Sequence, residues 1–194
     1  MRPASQGVGG SPQTLERESQ GVGLREATAS DIAAIQAIYA YHVENGTGTF
    51  EEVAPDQAEV NRRWEAIVAG RLPYLVSELD GQVQGFAYAS HFRPRSAYRF
   101  TVEDSIYVHP DAVGRGVGRL LLGELIERCT ALGLRQMVAV IGDSANVRSV
   151  QVHAAHDFQR TGVLTAAGFK FGRWLDAVFM QRTLGAGNET LPGD

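Results

Sequence analysis

The stretch from Thr101 to Leu122, TVEDSIYVHPDAVGRGVGRLLL, restricts what this chain can fold into more than any other. A β-rich run stops at His109-Pro110-Asp111, glycines follow at 114, 116 and 118, and Val117, Leu120, Leu121 and Leu125 then recur at helical spacing. Strand, glycine turn and helix follow in that order. Such a turn delivers consecutive backbone N–H groups to the free start of a helix, where unpaired donors and the positive dipole end favour a phosphate. Glycines lack the Cβ that would keep a bulky anion away. A Walker loop needs Gly-Lys-Ser/Thr, but Arg119 and Leu120 follow Gly118, and a dinucleotide fingerprint would want glycine where Arg119 stands. What remains is a turn starting at Val113 with Gly114, Arg115, Gly116, Val117, Gly118 and Arg119 at its helix end. Taken alone, it is either a pyrophosphate cradle or a glycine-rich turn without a ligand.

Composition limits what the turn can belong to. The 194 residues, 44% hydrophobic, suit one globular domain with an ample core, and a net charge of −4 offers no basic stripe for nucleic acid. No apolar segment approaches a membrane span and the N-terminus lacks a secretory apolar core, so the expectation is a cytoplasmic protein with no membrane partner. The lone Cys129 falls in the apolar helical pattern and reads as a small buried hydrophobe; the five His with it show no metal-site spacing, so no metal is expected.

Along the chain, residues 1–23 are rich in Gly, Ser and Gln and read as a flexible leader to a domain over 24–184, with 185–194 a loose tail. A short strand at Leu24-Arg25 precedes Thr28, a helix cap, and a helix with Ile32, Ile35, Ile38, Tyr39 and His42 on one face. A second helix carries Val60, Trp64 and Ile67. Tyr74–Leu79 and Val83–Ala89 form a hairpin through Asp80-Gly81, and Thr101–Val108 is a further strand. The turn helix stops near Gly133, Met137–Ile141 reads as a strand buried on both faces, and a short helix spans Ser144–Ala155. Two final strands occupy Phe158–Leu164 and Phe171–Arg182. Helices interleaved with a mixed sheet make the class α/β or α+β.

The turn resembles the pyrophosphate loop of the GNAT N-acetyltransferases, Gln/Arg-x-x-Gly-x-Gly/Ala, with Val113 departing from the usual first residue. Arg93-Pro94-Arg95-Ser96-Ala97-Tyr98-Arg99-Phe100-Thr101-Val102-Glu103-Asp104-Ser105 and Leu164-Thr165-Ala166-Ala167-Gly168-Phe169-Lys170 are similar to the phosphinothricin and methionine sulfoximine/sulfone acetyltransferase branch, and the likeness covers about Leu24 to Leu184. It implies a mixed, largely antiparallel sheet flanked by helices and splayed at the acetyl-CoA-binding strand. It also implies acetyl-CoA as co-substrate, a small amino-acid-like amine as acceptor, and a homodimer.

Strand alternation puts Thr101, Glu103, Ser105 and Tyr107 on one face, with Val102, Ile106 and Val108 on the other. Glu103 thus stands on a polar face just before the turn, and the resemblance makes it the general base. The resemblance gives the pantetheine and the developing oxyanion the free backbone amides of Ile106, Tyr107 and Val108. Asn146, Ser149 and His153 share a helix face; the resemblance makes the first two cofactor contacts and puts His153 where an imidazole would protonate the leaving thiolate or simply hydrogen-bond near the sulfur. Arg93, Pro94 and Arg95 stand where an oxyanion of the substrate would be held, with Glu103, Asp104 and Ser105 beside them. His156-Asp157 departs from the Leu-Gly expected at that helix end, which bears on local stability. Two other outcomes stay open on sequence: a GNAT acting on another small amine or a protein N-terminus, and a CoA-binding protein without turnover.

Overall fold

The computed structural model describes residues 22–192. The expected leader therefore lies outside the described residues except at its end, where Gly23 already belongs to the first strand. Among the described residues seven strands form a single sheet: β1 (Gly23–Glu26), β2 (Tyr74–Leu79), β3 (Gln82–His91), β4 (Thr101–Val108), β5 (Gln136–Gly142), β6 (Gln159–Lys170) and β7 (Arg173–Thr183). Their spatial order is β1-β2-β3-β4-β5-β7-β6. Only β4 and β5 run parallel, because the helix between them must cross back over the sheet; every other pairing is antiparallel.

Four α-helices among the described residues cover the faces: α1 (Ile32–Asn45), α2 (Gln57–Ala69), α3 (Val117–Ala131) and α4 (Val147–Ala154). The α1 stripe of Ile32, Ile35, Ile38, Tyr39 and Val43 packs with Val60 of α2 on Val76, Phe86 and Tyr107. On the opposite face Leu121, Leu122, Leu125 and Cys129 of α3 are fully buried against Leu75, Ala87, Val102 and Met137. Burial pushes the Cys129 thiol up to about 12, so it stays a neutral core group. Truncating any one of these leucines to alanine would cost about 2–5 kcal/mol.

Local chemistry accounts for most boundaries. Asp80 and Gly81 both take positive φ, the conformation a two-residue hairpin turn requires. Thr28 precedes a 3-10 turn, and its N–H donates to the Asp31 carboxylate at 2.7 Å. Gly133, at φ +77°, follows the end of α3. Three segments differ from expectation. The α4 helix begins at Val147, three residues late, because the Asn146 side chain accepts from Ser149 N–H and caps it there. Strand β6 runs on to Lys170, past irregularities in its pairing with β7, and turns through Phe171 and Gly172 at φ +52° and +73°. Phe171 carries no turn signal of its own, so the sequence pattern split this hairpin wrongly. The tail is not loose over its described part: Gly187 is buried with its N–H donating to the Leu184 carbonyl, and the Arg135 guanidinium donates to Thr190 Oγ1 and the Leu191 carbonyl.

Candidate active site

Strands β4 and β5 pair only from Thr101↔Gln136 to Asp104↔Ala139, whereas β4 stays paired with β3 as far as Gly85↔Val108. Beyond Asp104 the two parallel strands part. The wedge between them opens a cavity of about 700 Å³, within the range of small-molecule sites. Its walls include residues 103–108 of β4, 139–142 of β5, Val113 and Gly118 of the turn, Asn146, Arg148, Ser149 and His153 around α4, and His42 with the loop 46–50.

His109 N–H donates to the Gln84 carbonyl on the β3 side. Backbone alternation therefore turns the Tyr107 amide to β3 as well and leaves those of Ile106 and Val108 facing the wedge. This corrects the expectation for Tyr107. Its ring, not its amide, serves the site, packed edge-on against Tyr39 and stacked on Phe86 at centroid distances of 4.9 and 5.2 Å.

The turn itself is open. Gly114 and Gly116 take φ +85° and +84°, and a Cβ on either would meet nothing within 4 Å. Gly116 is the residue before α3, so the first-turn amides of Val117, Gly118 and Arg119 have no carbonyl one turn back to bond. Arg115 instead gives its N–H to Ala112 O. These donors, the open β4 edge and the adjoining cavity fit a ligand that carries both a pyrophosphate and an extended amide-bearing arm.

Glu103 lies half-buried on the α1 side of β4. Burial raises its carboxyl above the usual range; Arg93 pulls it down and Asp104 adds to the rise, and the net direction is upward. Ser105 lines the same wall. Asp104 points through the sheet and is buried, with Oδ2 accepting from His153 Nε2 at 2.9 Å and Oδ1 without a partner among the described residues. His153 Nδ1 lies 2.7 Å from the Ser149 carbonyl. An acceptor at each ring nitrogen favours the doubly protonated ring. Burial alone would lower its pKa, and the Asp104 carboxylate more than offsets that, raising it. Two expectations change accordingly. His153 has no free ring nitrogen with which to protonate a thiolate, and Asp104 is its counter-charge instead of a substrate ligand.

Arg93, Pro94 and Arg95 are exposed and stand outside the cavity lining. Arg93 lies over the Phe92 ring at 4.3 Å and reaches Glu103 only as a charge. Gly114, Arg115, Gly116, Val117 and Arg119 likewise border the cavity without lining it, whereas Gly118, Asn146 and Ser149 line it. Sequence reasoning missed His42, whose Nε2–H donates to the Val108 carbonyl at 2.8 Å and whose pKa burial lowers, keeping the ring neutral. It shares the apolar face of α1, so its sequence context gave no functional signal. Arg148 and the loop 46–50 were missed for the same reason: nothing local marks them. At the end of α4, Asp157 does adopt the left-handed conformation, at φ +63°, and the neighbouring His156 donates from its ring to Arg119 O.

The family model for the acetyltransferase (GNAT) domain matches residues 24–179. The chain belongs to the GNAT acetyltransferases, and it is an N-acetyltransferase of the branch that the Arg93–Ser105 and Leu164–Lys170 segments resemble. The phosphinothricin N-acetyltransferase of Alcaligenes faecalis is 55% identical over 169 residues, covering 87% of this chain and 86% of that one. The L-methionine sulfoximine/L-methionine sulfone acetyltransferase of Pseudomonas paraeruginosa is 41% identical over 83% of this chain and 94% of its own. Among solved structures, a phosphinothricin acetyltransferase from Sinorhizobium meliloti in complex with acetyl-CoA superposes with a TM-score of 0.87 at 50% identity, over 89% of this chain and 94% of that one.

Proposed function

We propose that this enzyme acetylates the α-amine of a small amino-acid analogue such as phosphinothricin, methionine sulfoximine or methionine sulfone, with Glu103 as the base. The observation that carries the reading is a half-buried carboxylate of raised pKa opening onto the same cavity as the free edge of β4 and the glycine turn. Acetyl-CoA supplies the acetyl group as a thioester when bound. The free first-turn amides of Val117, Gly118 and Arg119 would meet its pyrophosphate, and Asn146 and Ser149 would flank its arm. The Ile106 and Val108 N–H groups are the donors available to a thioester carbonyl, where a fixed dipole acts without reorganising. Glu103 relieves the acceptor of its proton: an α-ammonium of pKa about 8 is neutral in only about one molecule in ten at pH 7. A carboxylate lifted toward the working pH takes that proton more readily than an ordinary one. The two relatives named for phosphinothricin and methionine sulfoximine chemistry support this acceptor class. Arg93, whose charge reaches Glu103, remains the candidate for the substrate's anionic group.

Thiol release from acetyl-CoA, measured side by side with those three compounds and with ordinary amino acids, tests the reading; equal rates with all amines would overturn the acceptor class. Gly116→Glu is the control for the turn, since it puts a carboxylate at the phosphate position on a residue held at positive φ. Calorimetry should show acetyl-CoA affinity falling by at least about tenfold, and unchanged affinity would remove the turn from the site.

We further propose, from the family alone, that the enzyme works as a cytoplasmic homodimer. No described helix is long and apolar enough to cross a membrane. Sedimentation velocity should give twice the chain mass of 21.0 kDa; a monomer across the working concentration range would refute the dimer.

A further inference from the structure

Lys170 is 2% exposed, and among the described residues no carboxylate pairs with it. Its Nζ donates to the carbonyls of Gly46 at 2.9 Å and Thr49 at 3.0 Å, and stands 4.9 Å from the Phe171 ring centroid. Burying an ammonium is costly unless its hydrogens find acceptors, and both acceptors here belong to one loop. That loop, Gly46–Phe50, follows α1 and lines the cavity together with Glu103 and Tyr107.

Other contacts press the same loop onto the sheet. Thr47 Oγ1 donates to Asp143 at the end of β5, and Thr49 Oγ1 meets Tyr39 OH at 3.1 Å. A Cβ on Gly142 would lie 2.2 Å from the Thr47 carbonyl, and one on Gly168 would lie 2.6 Å from the Phe50 ring. Both positions exclude any side chain because the loop occupies that space. The Leu164–Lys170 segment thereby acquires a purpose that its exposed strand pattern does not suggest: its glycine seats Phe50 and its lysine ties the loop backbone.

We propose that Lys170 is a positioning residue for the amine substrate, fixing the Gly46–Phe50 loop from β6 as the wall of the amine end of the cavity. This rests on the acetyl-transfer reading for its kinetic consequence, but not for its structural one. In Lys170→Met, amide hydrogen exchange over residues 46–50 should quicken by at least about tenfold in protein without substrates. The KM for the amine should rise by about tenfold, with the KM for acetyl-CoA unchanged. Unchanged exchange in the loop overturns the proposal, and so does an equal rise in both KM values. If Lys170→Met does not fold, Gly168→Ala serves instead: it keeps the lysine, displaces Phe50 and should produce the same split between substrates. Exchange is read without turnover, so a failure to acetylate any amine would sink the proposed function while leaving the loop result standing.

Discussion

Replacing Glu103 by Gln should lower kcat by about 10²- to 10⁴-fold, the usual cost of losing a positioned base, while acetyl-CoA affinity stays near normal. Gln keeps the size and hydrogen-bonding reach of Glu103 but cannot take a proton. The deficit should shrink as pH rises, because more of the amine arrives already neutral. The same substitution should stabilise the fold near neutral pH. Burial raises the carboxyl pKa of Glu103 in the folded protein, so its contribution to stability is fully present below the unfolded pKa and is lost as pH rises through the folded value. Gln escapes that loss, so its advantage in denaturant unfolding should be absent in acid and appear toward neutrality. An inactive variant that gains stability marks a residue kept for chemistry and not for folding. Near-normal turnover in Glu103→Gln from about pH 6 to 9 would remove Glu103 from the mechanism and leave His42, neutral and in the cavity wall, as the next base to test.

Asp104→Ala should destabilise the protein by about 3–5 kcal/mol, since it strands the buried His153 without its counter-charge. The His153 side chain is 6% exposed and that of Asp104 2%, so solvent cannot replace the lost partner. The pH dependence separates this pair from ordinary packing. His153 has a raised pKa in the folded state, so the stability it contributes is fully present below its unfolded pKa of about 6.5 and is lost as pH rises through the folded value. Wild-type protein should therefore lose stability as pH rises above that unfolded value. Asp104→Asn removes the charge but keeps an amide that can bond a neutral imidazole; it should cost less than Ala and flatten that decline. Urea unfolding at several pH values reads both effects. A cost below about 1 kcal/mol for Ala, with the decline intact in Asn, would show that the pair does not hold α4 to β4.

The elements that carry the site were legible because each is written in a local period. Thr101–Val108 alternates with a two-residue repeat, α3 follows the apolar spacing of Val117, Leu121 and Leu125, and Asp80-Gly81 announces its hairpin. Gly114 and Gly116 lie between β4 and α3 and Gly118 in the first turn of α3, and only that context let the three glycines be read as a candidate phosphate-binding turn. The resemblance of Arg93–Ser105 and Leu164–Lys170 to one enzyme branch pointed to the acceptor class that the relatives share.

Contacts between segments distant in the chain were not written in any period. Asp104 and His153 lie 49 residues apart, Lys170 and Gly46 124 apart, and His42 meets Val108 across 66. Each pairing depends on which face a side chain takes and on where two strands part, and both are fixed only when the sheet assembles. The sequence by itself determined the strand, the glycine turn, the helix and a carboxylate on the strand just before the turn, because backbone propensity and side-chain alternation act over a few residues. Tertiary structure alone decided that Tyr107 turns its amide away, that His153 has both nitrogens engaged, and that a buried lysine on β6 holds the loop facing Glu103. Those outcomes follow from strand pairing, burial and charge pairing, which depend on distance in space and not on distance along the chain.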